Sequence, residues 1–541
     1  MSDALAEFLT LPRLLRRNAR AHGNDVALRE KELGIWRSLT WAEHEARARA
    51  IALGLRAEGF GAGDVVAIIG DNRPDWVAGQ IAAHAIGARS LGLYRDSLEE
   101  EVEYLLGFAG ATCALAEDEE QVDKLLNLAD RVPGLRRIVY ADPRGLRKYD
   151  DPRLLSLDAL CAAGEAAHRA DPAAWDALVD ATDPEAVAIL CTTSGTTARP
   201  KLAMLCGRAV VRHVERYLRA DPKGPADEYV SVLPLPWIME QVYVFGFGLV
   251  ARMRVSFVEE PETTMADFRE IGPSFVLLAP RVWESLAAEV RARVMDASPL
   301  KRRMFEFGMK RGLAALARGR RSRLADLVLF RALRDRLGFT RLRSAATGGA
   351  ALGPDTFRFF QAMGVPLRQL YGQTETLGAY ALHRADDVRL DTVGHAFEGT
   401  EIRVVDPDRN GVGEIVARHD NMFAGYHGVA GNPDLRDGWL HTGDAGFFDA
   451  HGHLVVIDRV KDIATTAGGD RFSPQFIENK LKFSPFVAEA VVLGDARPHL
   501  TALVCIRFPI LSKWAERQRI AFTTYSDLSA RPPVMELMRA E

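Results

Sequence analysis

The chain has 541 residues, a formal net charge of −4 and 48% hydrophobic residues. This nearly balanced charge argues against a basic nucleic-acid-binding protein, and the length and apolar content indicate a globular chain with an ample core. The five cysteines are odd in number and scattered, which is typical of reduced thiols in a cytoplasmic protein. We expect no signal peptide, since residues 1–8 lack a charged region followed by an apolar core. We expect no membrane span either, since no apolar run reaches about 18 residues.

Helical and strand patterns alternate over the first 140 residues. Residues 26–40 predict a hairpin, and Thr40 with Glu43 predicts a capping box at the start of the next helix. Residues 65–69, Val-Val-Ala-Ile-Ile, form a continuous apolar run typical of a buried parallel strand. We therefore predict a parallel sheet covered on both faces, followed by a peripheral connection over residues 141–185.

The most distinctive stretch is residues 192–201, Thr-Thr-Ser-Gly-Thr-Thr-Ala-Arg-Pro-Lys, which follows a short apolar strand pattern. Its five hydroxyl side chains and its backbone N–H groups can surround phosphate oxygens, while Lys201 adds a positive charge. The spacing differs from the Walker sequence G-x-x-x-x-G-K-[ST], so a P-loop phosphotransferase is disfavoured. The residues predicted to form this phosphate loop are Thr193, Ser194, Gly195, Thr196, Thr197 and Lys201.

This loop resembles the T-S-G-T-T-G-x-P-K motif of the acyl-adenylating superfamily, which includes acyl-CoA synthetases, luciferases and peptide-synthetase adenylation domains. Ala198 replaces the last glycine, so the loop must turn there without a left-handed residue. Residues 229–241 resemble the family's L-P-L-x-[H/W]-x-x-E motif, which implies that Trp237 gates an acyl channel; a core or turn aromatic is the alternative. Residues 273–284 look most like the long-chain acyl-CoA synthetase branch.

Residues 301–336 carry twelve lysines and arginines against three acidic residues, a local charge of +9 in a chain that is acidic as a whole. Apolar residues are interleaved with these charges. A basic amphipathic helical pair of this kind can lie on an anionic lipid surface, where acyl substrates partition. The segment is therefore a candidate for peripheral membrane contact, and a solvated insertion with locally paired arginines is the alternative.

Residues 345–350, Ala-Ala-Thr-Gly-Gly-Ala, have the pattern of a strand that ends in glycines. Because glycine has no β-carbon, a flat adenine ring can approach the backbone closely at such a strand end. In the family that the chain resembles, this stretch binds adenine. We therefore expect nucleotide contacts from Gly348, Gly349 and Ala350.

Residues 371–375, Tyr-Gly-Gln-Thr-Glu, resemble the family's Y-G-x-T-E motif, although the pattern alone could also be an ordinary turn. The resemblance implies that Tyr371 stacks on the adenine, Thr374 bonds the α-phosphate and Glu375 holds Mg²⁺. Thr196 of the phosphate loop is the second residue expected at the metal. The other members of the motif expected to bind nucleotide are Gly372 and Gln373.

The stretch from Trp439 to Asp444 resembles the family's T-G-D motif, which implies that Asp444 bonds both ribose hydroxyls and that Arg459 assists. One carboxylate has lone pairs enough for two hydroxyl groups. Lys461 falls at the position about which a small C-terminal domain swings and is counted among the nucleotide-binding residues. Residues 468–474 resemble the loop that helps to form the tunnel for the pantetheine of coenzyme A.

The resemblance fails near the end of the chain. The family's G-[KEL]-x-T-x-T-x-K/R-type segment, whose lysine bonds the substrate carboxylate and the α-phosphate, has no counterpart here. Lys513 is the only lysine after Lys482, and its helix-like context gives no reason to assign it a catalytic role. We therefore predict domains at 1–459 and 460–541, a truncated second domain, and poor adenylation by this chain alone.

The resemblance implies an α/β protein with a large N-terminal domain of doubly wound sheets plus a distorted barrel, and a small mobile α+β C-terminal domain. The implied reaction converts ATP and a fatty, long-chain acid to acyl-AMP and pyrophosphate, and then forms acyl-CoA with release of AMP. ATP, Mg²⁺ and coenzyme A are expected, and nucleic acid is not. The alternatives are an acyl-AMP ligase that loads a carrier protein and a catalytically silent protein that binds nucleotide or acyl-AMP.

Overall fold

The computed structural model describes residues 5–128, 130–193, 199–350, 352–409, 411–482 and 484–541. The strands of these residues are, in chain order, β1 Val26–Glu32, β2 Ile35–Thr40, β3 Val65–Ile69, β4 Arg89–Leu93, β5 Cys113–Ala116, β6 Arg137–Tyr140, β7 Leu154–Ser156, β8 Val187–Thr193, β9 Lys201–Cys206, β10 Glu228–Ser231, β11 Arg254–Phe257, β12 Phe275–Leu277, β13 Ser344–Thr347, β14 Leu367–Gln373, β15 Gly378–Leu382, β16 His395–Ala396, β17 Glu401–Val405, β18 Gly413–Arg418, β19 Leu435–Arg436, β20 Trp439–Phe448, β21 Leu454–Arg459, β22 Ala464–Thr465, β23 Arg471–Phe472, β24 Val487–Leu493 and β25 Thr501–Ile506.

The α-helices are α1 Leu11–His22, α2 Trp41–Ala57, α3 Pro74–Ala85, α4 Glu99–Ala109, α5 Glu119–Leu128, α6 Leu157–Ala170, α7 Ala174–Asp180, α8 Gly207–Ala220, α9 Ile238–Glu240, α10 Gly248–Val250, α11 Thr264–Ile271, α12 Pro280–Met295, α13 Pro299–Leu316, α14 Arg323–Ala325, α15 Arg331–Arg336, α16 Pro354–Ala362, α17 Pro474–Leu481, α18 Phe508–Arg517, α19 Tyr525–Ser529 and α20 Pro532–Ala540. Residues Gln241–Phe247 and Asp326–Phe330 form π-helical turns.

The seven-stranded sheet has the order β7-β6-β5-β3-β4-β8-β9, with β9 antiparallel to its neighbour and the other pairs parallel. Alternate residues of β3 enter two separate cores, Val65 and Ala67 on one face and Val66 and Ile68 on the other. The predicted parallel sheet with two covered faces is confirmed. The predicted hairpin of β1 and β2 and the capping box of Thr40 are confirmed as well.

The prediction of a merely peripheral connection over residues 141–185 was wrong. This segment contributes β7 to the edge of the sheet and the helices α6 and α7. Helix α6 lies directly on α2, because a β-carbon built at Gly164 would stand 1.9 Å from the Ala50 carbonyl oxygen and one at Gly54 would stand 2.3 Å from the Leu160 oxygen. Two glycines allow this backbone contact, and a composition rich in alanine did not reveal it.

Two further large sheets complete the region before residue 460. A nine-stranded sheet has the order β16-β15-β14-β13-β12-β10-β11-β1-β2, parallel between β14 and β1 and antiparallel at both edges. Strands β17 to β21 form an antiparallel five-stranded sheet, in the part of the chain where a distorted barrel was predicted. The predicted α/β class is confirmed.

Residues after 460 contain two small two-stranded sheets and the helices α17 to α20. They enclose a separate cluster of buried side chains. Helix α18 contacts the end of α12, since Arg517 Nη2 donates to the Met295 oxygen at 2.6 Å and Lys513 Nζ lies 2.5 Å from Oδ2 of Asp296, the next residue. A domain boundary at residue 459 stays a prediction.

The basic segment is helical, as predicted, and consists of α13 followed by the helical residues 323–336. Ten of its twelve basic side chains are exposed. Large apolar side chains are exposed between them, with Leu300 at 69%, Phe307 at 43% and Leu327 at 74%. Among the described residues no helix combines the length and the apolar character needed to cross a bilayer.

Candidate active site

A cavity of about 490 Å³ is lined by residues from all three large sheets. The end of β8, the start of β9, the turns after β10 and β14 and the strands β20 and β21 deliver its side chains. The structure therefore brings most of the separately predicted motifs to one place. The predicted residues that line it are Thr193, Lys201, Trp237, Gly349, Gly372, Gln373, Thr374, Glu375 and Arg459.

We call Lys201, Glu375, Tyr426 and Asp434 the lysine side of the cavity. The Tyr426 hydroxyl donates to Glu375 Oε1 at 2.6 Å and lies 3.0 Å from Asp434 Oδ2. Lys201 Nζ lies 3.5 Å from the same aspartate oxygen and 4.4 Å from the centre of the Tyr426 ring. Burial, followed by the charge of Glu375, raises the pKa of Tyr426, so its hydroxyl stays a donor. Among these four side chains, one ammonium faces two carboxylates.

Backbone pairing between distant segments builds the lysine side. Strands β8 and β9 place Thr193 opposite Lys201. Residues 424–427 pair with β9 in turn, with Met204 N donating to the Gly425 oxygen at 2.9 Å. This pairing sets Tyr426 beside Lys201, and neither Tyr426 nor Asp434 was predicted, because no local pattern marks them. The predicted phosphate-loop residues Ser194, Gly195, Thr196 and Thr197 lie outside the described residues.

We call Asp444, Tyr371, Gln373 and Arg459 the aspartate side. Gln373 and Arg459 line the cavity and both contact Asp444, which like Tyr371 is not among the lining residues. Asp444 Oδ2 accepts hydrogen bonds from the Tyr371 hydroxyl at 2.5 Å and from Gln373 Nε2 at 3.0 Å. Its other oxygen lies 3.1 Å from Arg459 Nε. Asp444 is only 7% exposed. Burial raises the pKa of this carboxyl, and the positive charge of Arg459 opposes the rise. Three donors, from Tyr371, Gln373 and Arg459, thus surround the carboxylate.

Tyr371 is buried, and its ring packs edge-on against Tyr380 with the ring centres 5.2 Å apart. The structure thus places Tyr371 as a donor behind Asp444, and its stacking on adenine stays a prediction. Glu414, which was not predicted, accepts from Gly443 N at 3.1 Å and lies 2.8 Å from His441 Nδ1. These contacts fix the part of β20 that carries Asp444.

Glycines line the cavity between the lysine side and the aspartate side. A β-carbon at Gly372 would stand 1.9 Å from the Gly378 oxygen, so β14 and β15 can approach only without a side chain there. Gly349 has a φ of +85°, and a β-carbon on it would stand 3.8 Å from Trp237 Cζ2. Gly348 is buried and Ala350 is exposed beside it. Gly349 of the predicted glycine motif therefore lies next to Trp237 in the cavity wall.

The turn that carries Trp237 is anchored from below by Glu240, the last residue of the same motif. Glu240 is fully buried and accepts hydrogen bonds from the hydroxyls of Tyr229, at 2.6 Å, and Ser231. Burial raises the pKa of Glu240 to about 8, and both of its oxygens bond to these hydroxyls, so this carboxyl is unsuited to holding a cation.

Two lysines considered from the sequence lie away from the cavity lining. Lys461 is exposed in the short turn Val460–Asp462, directly after Arg459. Its predicted hinge and nucleotide-binding role stays a prediction. Lys513 pairs with Asp296, the residue directly after α12, which agrees with its having been given no catalytic role.

Comparisons with known sequences point to one enzyme family. A family profile described as "AMP-binding enzyme" matches residues 15–427. The long-chain-fatty-acid–CoA ligase FadD15 of Mycobacterium bovis is 30% identical over 93% of this chain and 83% of its own length. The long-chain-fatty-acid–CoA ligase ACSBG1 of Mus musculus is 28% identical over 90% of this chain and 69% of its own length.

Solved structures show the same fold. The anthranilate CoA ligase AuaEII in complex with anthranoyl-AMP superposes with a TM-score of 0.74 at 17% identity, covering 99% of this chain and 91% of that one. The adenylation domain of a carboxylate reductase from Mycobacterium chelonae superposes with a TM-score of 0.73 at 22% identity, covering 94% and 81%. The predicted truncation of the second domain is not supported, since the match to FadD15 takes in 83% of that relative.

Proposed function

The chain belongs to the AMP-binding enzyme family and is an AMP-forming acyl-CoA ligase, and on this premise we propose that its acid is a long-chain fatty acid. In the first step a carboxylate oxygen attacks the α-phosphorus of ATP, which gives acyl-AMP and pyrophosphate. In the second step the sulfur of coenzyme A attacks the acyl carbonyl carbon and AMP leaves. The reaction is supported by a single cavity that joins Lys201, Glu375 and Arg459, which come from three separate motifs. The long-chain acid is supported by the relatives FadD15 and ACSBG1, whose names state that substrate.

The lysine side suits a triphosphate that arrives with a divalent cation. A carboxylate that approaches ATP meets like charge, and one pair of unit charges at 4 Å costs roughly 4 kcal/mol at an effective dielectric constant near 20. Glu375 and Asp434 offer carboxylate oxygens around one hydroxyl, a donor set that fits Mg²⁺. We assign Mg²⁺ to Glu375, with Thr196 as the second residue.

Bound Mg²⁺ would supply charge neutralisation on the phosphates. Lys201 donates a charge-assisted hydrogen bond to a phosphate oxygen, after leaving its 3.5 Å contact with Asp434. Tyr426 holds Glu375 in place through its hydroxyl. No side chain serves as a nucleophile in this scheme, because the substrate carboxylate and the thiol of coenzyme A both attack directly.

The aspartate side suits a ribose. A carboxylate has about four lone-pair sites, and Asp444 uses two on Oδ2 for Tyr371 and Gln373. Ribose hydroxyls can share the remaining sites or displace Gln373, while Arg459 keeps the carboxylate ionised. Adenine then lies against Gly348, Gly349 and Ala350, and Thr374 reaches the α-phosphate. The acyl chain enters past Trp237, whose indole lies over Gly349.

Product analysis with ATP, Mg²⁺, coenzyme A and a series of acids from short to long tests the proposal. We expect AMP, pyrophosphate and acyl-CoA in equal amounts, with the highest kcat/KM for long-chain acids. ADP as the product would contradict AMP-forming chemistry. Acyl-AMP that accumulates without a thioester would contradict coenzyme A as the acceptor, and a preference for short or aromatic acids would contradict the substrate class.

We also propose that the basic segment, residues 301–336, rests on anionic membrane from which the fatty acid is drawn. Its exposed bases and apolar side chains occur on the same helices, the combination that binds acidic lipid. On centrifugation, the protein should co-sediment with vesicles of phosphatidylglycerol and phosphatidylcholine and should stay in the supernatant with vesicles of phosphatidylcholine alone. The triple change of Arg318, Arg320 and Arg321 to Gln should weaken binding.

The matched control neutralises three exposed bases elsewhere, Arg144, Arg147 and Lys148. If this control weakens vesicle binding as much as the change in the basic segment, the binding reflects charge alone and the proposed surface is wrong.

A further inference from the structure

Three side chains with the character of metal ligands converge far from the cavity. Asp387, His395 and His453 offer ligand atoms that all lie within 4.8 Å of one another. Asp387 Oδ2 lies 2.9 Å from His453 Nε2 and 3.6 Å from His395 Nε2. Zinc bonds imidazole and carboxylate ligands at about 2.0–2.2 Å, so tetrahedral ligands stand roughly 3.4 Å apart. The observed spacings bracket that separation.

The hydrogen bonds to Nδ1 of His453 can fix the tautomer of its ring, so that Nε2 is free to bind a metal ion. Gln369 N donates to His383 Nδ1 at 3.0 Å, so a neutral His383 carries its proton on Nε2 and donates it to Thr392 Oγ1 at 2.8 Å. The Thr392 hydroxyl can donate to the Arg389 oxygen at 3.2 Å and accept from His453 Nδ1 at 2.9 Å. With its Nδ1 proton used in this way, His453 presents a bare Nε2.

A bare Nε2 would point its lone pair at an oxygen of Asp387, and a cation between them relieves that repulsion. In the other hydrogen arrangement Thr392 donates to His453 Nδ1, and Nε2 carries a proton that it gives to Asp387. A metal ion and a proton therefore compete for one position. Asp387 keeps Oδ2 available, because Arg389 Nε lies 3.2 Å from its other oxygen.

The cluster stands where two sheets join. His395 begins β16 of the nine-stranded sheet, and His453 directly precedes β21 of the five-stranded sheet. The backbones pair at this point, since Val393 N donates to the Leu454 oxygen and Leu454 N to the Gly394 oxygen, each at 2.9 Å. His453 is fully buried, whereas the side chains of His395 and Asp387 are 22% and 38% exposed, which leaves solvent access for an ion.

We propose that Asp387, His395 and His453 form a zinc-binding site, with water as the fourth ligand, that ties the nine-stranded sheet to the five-stranded sheet. Imidazole ligands favour zinc over Mg²⁺ and Ca²⁺, which prefer sets of oxygen atoms. The role is structural, because Arg459 of the cavity stands six residues from His453, about 20 Å along an extended strand. The site is independent of the proposed adenylation.

The test is titration of the purified, chelator-treated full chain with Co²⁺ and Zn²⁺ in the presence of excess Mg²⁺. We expect one Co²⁺ per chain with the visible absorption of a four-coordinate ion, displaced by Zn²⁺, and a Tm that rises with Zn²⁺. Asp387→Asn and His395→Ala change partly exposed side chains and should keep the fold. Each should weaken Zn²⁺ binding at least about tenfold, and His453→Ala should abolish the absorption.

His451→Ala is the matched control, because His451 is an exposed histidine in the same turn and outside the cluster. It should bind Co²⁺ like the unchanged chain. The proposal is overturned if the unchanged chain binds no Co²⁺, if the absorption survives in both Asp387→Asn and His395→Ala, or if His451→Ala loses it equally. Loss of ligase activity with metal binding intact would bear only on the proposed function.

Discussion

The two sides of the cavity differ in how many donors and positive charges surround their carboxylates. On the aspartate side three donors surround one carboxylate, and Asp444 is buried with its hydrogen bonds made. On the lysine side two carboxylates share one tyrosine hydroxyl and a single ammonium at 3.5 Å. The first arrangement is complete without a ligand, and the second has a surplus of negative charge.

The difference indicates what each side requires from its ligand. A surplus of negative charge next to a triphosphate is repulsive unless a cation is bound, so the lysine side should depend strictly on Mg²⁺. The aspartate side must instead exchange an internal bond for a ribose bond of similar strength, so its net gain should be modest. Changes on the lysine side should therefore affect rate, and changes on the aspartate side should affect mainly ATP affinity.

The largest expected effect is that of Glu375→Gln. Removing one electrostatic group that acts in the transition state costs about 10²–10³ in kcat, and this change also removes the proposed Mg²⁺ ligand. Pyrophosphate release across a range of Mg²⁺ concentrations is the measurement. Glu516→Gln, an exposed change on α18, is the control. If Glu375→Gln kept full activity at low Mg²⁺, the metal assignment would be wrong.

Lys201→Ala should come next, with kcat/KM for ATP lower by about 10–100-fold, the size of one charge-assisted hydrogen bond. Lys310→Ala removes the same charge from an exposed site in the basic segment and should leave soluble turnover unchanged. Circular dichroism of Lys201→Ala should match that of the unchanged chain. Equal losses in both variants would trace the effect to net charge instead of to a phosphate contact.

Asp444→Asn should raise KM for ATP about tenfold and alter kcat less. Because burial raises the pKa of Asp444, its carboxylate is lost at a higher pH than that of an ordinary aspartate as the pH falls. KM for ATP should therefore rise on acidification in the unchanged chain, and the Asn variant should show a flatter pH profile. Identical profiles would exclude Asp444 as the group that titrates.

Tyr371→Phe should have the smallest effect on the kinetics of ATP. Compared with Tyr426→Phe, it gives the most direct test of the contrast between the two sides. It removes one donor from Asp444 and frees a lone pair for ribose, so KM for ATP should change less than about threefold in either direction. Tyr426→Phe removes the corresponding hydroxyl on the lysine side, where it holds Glu375, and should lower kcat. If Tyr371→Phe lowered kcat more than Tyr426→Phe, the contrast between the two sides would be refuted.

The sequence was sufficient to predict what lies within a few residues of each motif. The Thr40 capping box and the parallel sheet around β3 follow from such local patterns. The meeting of Lys201, Glu375 and Arg459, which stand far apart in sequence, was expected only from the resemblance. Tyr426 and Asp434 were not predicted, because their roles arise from pairing of residues 424–427 with a strand far away in sequence. The three bonds to Asp444 likewise depend on side-chain packing that no spacing rule describes.

The partners Lys201 and Asp434 stand 233 residues apart, which has a consequence for synthesis. The ribosome must have released the chain beyond residue 434 before the lysine side can close, and Arg459 follows later still. Contacts between such distant residues form slowly, because long loops must close first. A nascent chain should thus acquire ATP affinity only after residue 459 has emerged, and ATP present at that moment stabilises chains that have passed this length by mass action while leaving shorter ones unprotected.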